Sequence, residues 1–239
     1  MTGSVRPPMY GVAKVHKEGD QLRPILAMLG FPQHATTKWL AYLLEPVLKK
    51  YRQHVVKDSF DFTESIRQYQ APESVHICSF DINSLFTNVP LDETVRICTT
   101  QLYHSDIEAP KLPEKSFFKL IEKVTKGVEF SVGAMDKQKD GVAMGSPLGP
   151  VLANIFVGVH KQRLEVANRP ELLMYKRYVD GTFSLQMAED HSFKFFEYLN
   201  KLHPALQFSC KRENDRKLPI FEMDVHKKSI EAERETTNF

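Results

Sequence analysis

The chain has 239 residues, 42% hydrophobic and 26% charged, enough to bury a substantial core in one domain or two closely packed lobes. A formal net charge of +2 excludes a global basic excess as the mark of a nucleic-acid partner and leaves that argument to local clusters. Cys78, Cys98 and Cys210 lack the spacing of a structural zinc site or a disulfide framework, which fits a reducing compartment. No apolar run reaches the roughly 18 residues of a transmembrane helix, and Met1 to Tyr10 has no signal-peptide core. An intracellular protein, nuclear or cytoplasmic and without a membrane partner, is expected.

In chain order, Arg6-Pro7-Pro8 reads as extended. His34 to Tyr51 carries Leu40, Leu43, Leu44, Val47 and Leu48 at helical spacing, with Pro46 as a kink or break. Val75 to Phe80 is a β-prone run leading into Asp81. A helix is expected after Pro90, with Asp92 as candidate cap, and another over Glu114 to Lys126, stopped by Gly127. Val128 to Val132 and the segment before Gly141 read as a hairpin.

Ser146-Pro147 opens a helix, Ser as N-cap and Pro at the first helical position. Met174 to Leu185 reads as a hairpin with Asp180-Gly181 in its turn. Ser192 to Leu202 is amphipathic and helical, while Ala205 to Lys211 and Leu218 to His226 read as strands. The pattern is α+β, with hairpins and helices packed on one sheet.

Two carboxylates attract attention, Asp81 at the end of a strand and Asp180 in a turn. Either alone is more often a solvated or capping residue. Together, at a shared sheet edge, they would suit metal-dependent nucleotide addition, which uses two hard cations about 4 Å apart held by carboxylate oxygen. Lys49, Lys50 and Arg52, and Lys176-Arg177-Tyr178, are local basic runs consistent with backbone contacts to nucleic acid. His16, His34, His160 and His191 form no ligand pattern.

Ordered segments carry a stronger signal. They are Tyr10 to Lys17, Leu22-Arg23-Pro24-Ile25, Ser79 to Pro90, Gly141 to Phe156, Arg177-Tyr178-Val179-Asp180 and Leu218-Pro219. In order and spacing this set resembles the reverse transcriptase domain of Penelope-like retroelements, and more distantly that of telomerase and other reverse transcriptases. The resemblance implies right-hand polymerase palm and fingers, an antiparallel palm sheet backed by helices, with no thumb. It implies a fingers region over 1–70, a palm over 71–239 with a fingers insertion around 91–140, and a primer-grip segment at 218–226.

Residue by residue, the resemblance makes Asp81 and Asp180 the catalytic metal ligands, with the Ile82 carbonyl as a further donor. Arg23 would contact the triphosphate, with Lys14 in the same basic strand; an arginine's planar fork suits phosphate oxygens. Phe86 would stand over the sugar and disfavour a 2′-hydroxyl, which counts against an RNA product. Gly145 and Ser146 would let the nucleotide approach the backbone. Tyr178, Leu218 and Pro219 would meet the primer, and Lys211 is a candidate general acid. The implied cofactor is Mg²⁺, for which Mn²⁺ can substitute. The implied partners are an RNA template, a DNA or RNA primer and dNTPs.

Gly181 departs from the family, which carries a second Asp there. The expected consequence is impaired RNA-directed DNA synthesis. The rival expectation is a degenerate polymerase fold that binds nucleic acid without copying it.

Overall fold

The computed structural model describes residues 7–13, 22–72, 74–126, 129–132, 134–137, 141–166, 172–221 and 223–227. β1 (Met9–Ala13) and β2 (Leu22–Leu26) form an antiparallel ribbon. α1 (Pro32–Leu43) begins with Pro, whose fixed φ suits a first helical residue. Pro46 does break the expected long helix: α1 ends at Leu43 and α2 (Glu45–Lys50) starts anew with Pro46 in its first turn. Sequence reading missed α3 (Ser59–Arg67), whose start is marked by Asp58 accepting from the Asp61 amide at 2.8 Å.

β3 (His76–Ile82) carries Asp81 and is followed by the single turn α4 (Leu85–Asn88), entered through Ser84 at φ +50°. α5 (Leu91–Tyr103) is not capped by Asp92: Pro90 holds the cap position, and Asp92 lies in the first turn, paired with Lys126. α6 (Glu114–Thr125) buries Phe117 and Ile121 against α5, where Tyr103 meets Phe117 with ring centroids 5.7 Å apart. Gly127, its expected stop, lies outside the described residues. β4 (Glu129–Val132) pairs with β5 (Ala134–Lys137) as the expected hairpin.

α7 (Leu148–Val166) follows the Ser146-Pro147 turn. The Ser146 hydroxyl accepts from the Leu148 amide at 3.3 Å, as a capping Ser should. β6 (Leu172–Tyr178) and β7 (Gly181–Gln186) make the expected hairpin, followed by α8 (Glu189–Asn200) and β8 (Phe208–Arg212). The segment expected as one strand over Leu218 to His226 is instead a hairpin of β9 (Lys217–Ile220) and β10 (Met223–His226). Phe221 turns the chain there with φ +51°.

The chain divides into two units, one of Met1–Tyr51 with Ser84–Val159, the other of Arg52–Asn83 with His160–Phe239. The second is built on the four-stranded antiparallel sheet β6-β7-β3-β8. On one face, Ile77, Phe183 and Leu185 pack with Phe62, Val56, Leu218 and Ile220. On the other, Phe80 meets Phe195 and Phe196 of α8 at 5.5 and 6.2 Å. Each such fully buried side chain contributes about 1.5–3 kcal/mol, so the two covered faces fix the register of β3 and β7. No helix among the described residues is long and apolar enough to cross a membrane.

Candidate active site

Register decides what gathers at the end of the second unit's sheet. Asp81 lies opposite Gly181 on β7 and Ser209 on β8. Asp180, one residue before Gly181, is exposed in the β6–β7 turn, and its carbonyl accepts from the Ile82 amide at 2.9 Å. The main chain thus ties the residue after Asp81 to Asp180 itself. The Asp81 side chain keeps 36% of its surface open, and Lys211 Nζ stands 3.6 Å from its Oδ2. Ser209 donates its hydroxyl to the Asp81 carbonyl at 3.4 Å.

The turn differs from the expected one. Its two central residues are Val179 and Asp180, and Gly181 closes it by pairing with Tyr178. The left-handed position falls on Val179, at φ +53°, a conformation that a β-branched residue resists. Arg177 holds it there: its guanidinium donates to the Val179 carbonyl at 2.6 Å. Burial pushes the Arg177 guanidinium down from its ordinary value, and the charges of Tyr175 and Asp180 oppose that shift.

Arg177 is only 1% exposed, so it cannot serve as the nucleic-acid contact expected of the Lys176-Arg177-Tyr178 run. Strand alternation explains this, since Arg177 and Tyr178 point to opposite faces. Tyr178 is the exposed partner, and its ring lies 5.8 Å from that of Phe221. Of the expected primer residues in β9, Leu218 is fully buried in the core and Pro219 is exposed. Ile82 is buried at the end of β3.

The expected nucleotide-binding residues lie in the first unit, where three segments are laced by backbone hydrogen bonds. The Leu26 amide, at the end of the strand bearing Arg23, donates to the Met144 carbonyl at 2.7 Å. The Val142 amide donates to the Phe86 carbonyl at 2.6 Å. Gly145 has φ +103°, and a Cβ there would lie 2.1 Å from the Leu26 carbonyl oxygen. Only glycine lets this loop seat against β2. Arg23 is exposed, Phe86 half-buried and Ser146 buried; Lys14 falls outside the described residues.

Asp81 and Asp180 fit a divalent cation by donor chemistry: hard carboxylate oxygens, partly open to water, at adjoining register positions. Sequence reading missed Arg177 as the brace of the turn and Phe221 as the ring beside Tyr178. Strand alternation signals the first. The second follows from a turn that Ile220-Phe221-Glu222-Met223 does not announce.

The family described as reverse transcriptase (RNA-dependent DNA polymerase) matches residues 15–210. No curated protein sequence matches the chain. Among solved structures, apo telomerase from Candida tropicalis is similar with a TM-score of 0.72 at 10% identity, over 92% of this chain and 47% of that one. Telomerase from Candida albicans in complex with a TWJ fragment of telomeric RNA is similar with a TM-score of 0.69 at 12% identity, over 92% of this chain and 45% of that one. The BmCPV RNA-dependent RNA polymerase at quiescent state follows with a TM-score of 0.61 at 12% identity, over 93% of this chain and 22% of that one. At such identities the likeness is one of polymerase palm-and-fingers fold, and the chain spans less than half the length of those telomerases.

Proposed function

The chain belongs to the reverse transcriptase (RNA-dependent DNA polymerase) family, and from that premise we propose that it extends a primer 3′-OH with dNTPs on an RNA template. The observation that carries this reading is the register that sets Asp81 and Asp180 at one end of one sheet. The family generally uses divalent metals, and we assign Mg²⁺ to these two carboxylates, with Mn²⁺ able to replace it. Bound there, the ion would supply Lewis acidity toward the primer hydroxyl and the phosphates.

The protein's own groups divide the remaining work. Asp81 and Asp180 present oxygen and negative charge, and Arg177 keeps the turn bearing Asp180 in one conformation. Lys211, whose Nζ stands 3.6 Å from Asp81, is assigned as the general acid toward the leaving pyrophosphate. Arg23, with Lys14, is assigned to the triphosphate, Phe86 to the sugar, and Gly145 and Ser146 to the nascent base pair. Tyr178 and Pro219 are the surface residues assigned to the primer, and the Ile82 carbonyl remains a candidate donor. The motif set supports a place in the Penelope-like group.

Primer extension on an RNA template with Mg²⁺ or Mn²⁺ tests the reading. The native chain should extend slowly, and Asp81→Asn or Asp180→Asn should lower the rate by about 100-fold or more, beyond the loss from removing a group that only supports a ligand. Their melting temperatures should hold, since neither carboxylate, one half-buried and one exposed, contributes to the core. Extension undiminished in both variants would sink the assignment. Gly181 favours a second reading, a polymerase fold that binds nucleic acid without copying it. Salt-dependent binding of RNA–DNA duplex with no incorporation in either metal would select that one.

A further inference from the structure

Gly181 lies directly across from Asp81. A Cβ at this position would meet Phe221 Cε1 at 2.9 Å and Asp81 Oδ1 at 3.3 Å. The first distance is well inside the roughly 3.5–4.0 Å of favourable carbon contact, so the ring or the strand would have to move. The ring is hemmed in. It packs edge-on against Phe62 at 5.0 Å and Tyr178 at 5.8 Å, and Phe62 is fully buried. Its backbone is committed as well, at φ +51° in the β9–β10 turn.

We propose that Phe221 is a positioning residue of this site: its ring takes the space that a second carboxylate on the β6–β7 turn would need, and props Tyr178 and β7 beside Asp81 in its place. Gly181 and Phe221 are then one adaptation and not a single lost residue. A side chain at position 181 is unwelcome while the ring remains, so Gly181→Asp alone does not rebuild a two-carboxylate turn. The inference rests on the polymerase reading only where it concerns metal; the packing stands on the geometry.

The test is a double-mutant cycle of the native chain, Gly181→Asp, Phe221→Ala and the pair, with Phe221→Leu as a milder partner should the alanine variant fold poorly. Two quantities are read, the melting temperature and the Mn²⁺ dissociation constant from the electron paramagnetic resonance of free Mn²⁺. Gly181→Asp alone should melt lower and bind Mn²⁺ no tighter than the native chain. The pair should melt above the sum of its single losses and bind Mn²⁺ about 10-fold or more tighter. Strictly additive melting temperatures, or tightening by Gly181→Asp alone equal to that of the pair, overturns the proposal. Non-additive melting with no Mn²⁺ bound by any of the four proteins upholds the packing and overturns the metal reading of Asp81 and Asp180.

Discussion

Val179 stands at φ +53°, and a non-glycine residue held in such a conformation costs about 1–3 kcal/mol unless its surroundings hold it there. The surroundings here are one guanidinium, buried and bonded to the Val179 carbonyl at 2.6 Å. Arg177→Met keeps the bulk and removes that donor. The turn should relax, so single-turnover extension should slow by about 10-fold while primer affinity changes little. Hydrogen exchange should quicken at Tyr178 to Gly181. Unchanged exchange there would show that Arg177 does not brace the turn. That Asp180 is a candidate site residue was legible in the sequence, because the residues around it match a family motif. That Val179 carries the strain was not: Asp-Gly is the commoner hairpin pair, and only the pairing of Tyr178 with Gly181 moves the turn back by one residue.

At the scale of elements, the loop before α7 is tightly constrained. Gly145 combines φ +103° with the close approach to the Leu26 carbonyl, so Gly145→Ala meets both backbone strain and a clash. We expect a loss of about 1–3 kcal/mol, read as a lower denaturant midpoint with an unchanged slope. An unaltered midpoint would mean that the loop does not seat against β2 in solution. Long amphipathic or capped elements were readable: α6 from Phe117 and Ile121, α7 from Ser146, the break between α1 and α2 from Pro46. α3 was missed because Ser59–Arg67 is short and carries a single fully buried residue, Phe62. The β9–β10 hairpin was missed because an aromatic residue does the turning, where glycine or asparagine is the usual signal.

At the scale of the whole molecule, a modest net charge must be reconciled with a nucleic-acid partner. Lys49 and Lys50 are exposed in the last turn of α2 and Arg52 just beyond it, and Lys50 stands 3.9 Å from the fully solvated Asp106. If these residues touch phosphates, log affinity for an RNA–DNA duplex should fall linearly with log salt, and Lys49→Ala should reduce the slope by about 1. An unaltered slope would remove this run from the interface. The fold class was legible from the alternation of helices and hairpins, and the family from the ordered motifs. An insertion around 91–140 was expected, but a boundary at Ser84 was not, because the neighbouring motif residues Asp81 and Phe86 fall on either side of it.

That discontinuity reaches back to the ribosome. β3 is the inner strand between β7 and β8, yet both partners are encoded far downstream of it. A nascent chain that has reached Val166 therefore holds Ile77, Phe80 and Ile82 on a strand with neither ladder partner yet made. Such an apolar, unpaired strand invites association with other chains until β7 and β8 emerge. Contacts this distant in sequence also close slowly. Synthesis of this protein should depend on chaperones that shield β3 during elongation, and chains arrested at Val166 should aggregate where chains extended past β8 do not.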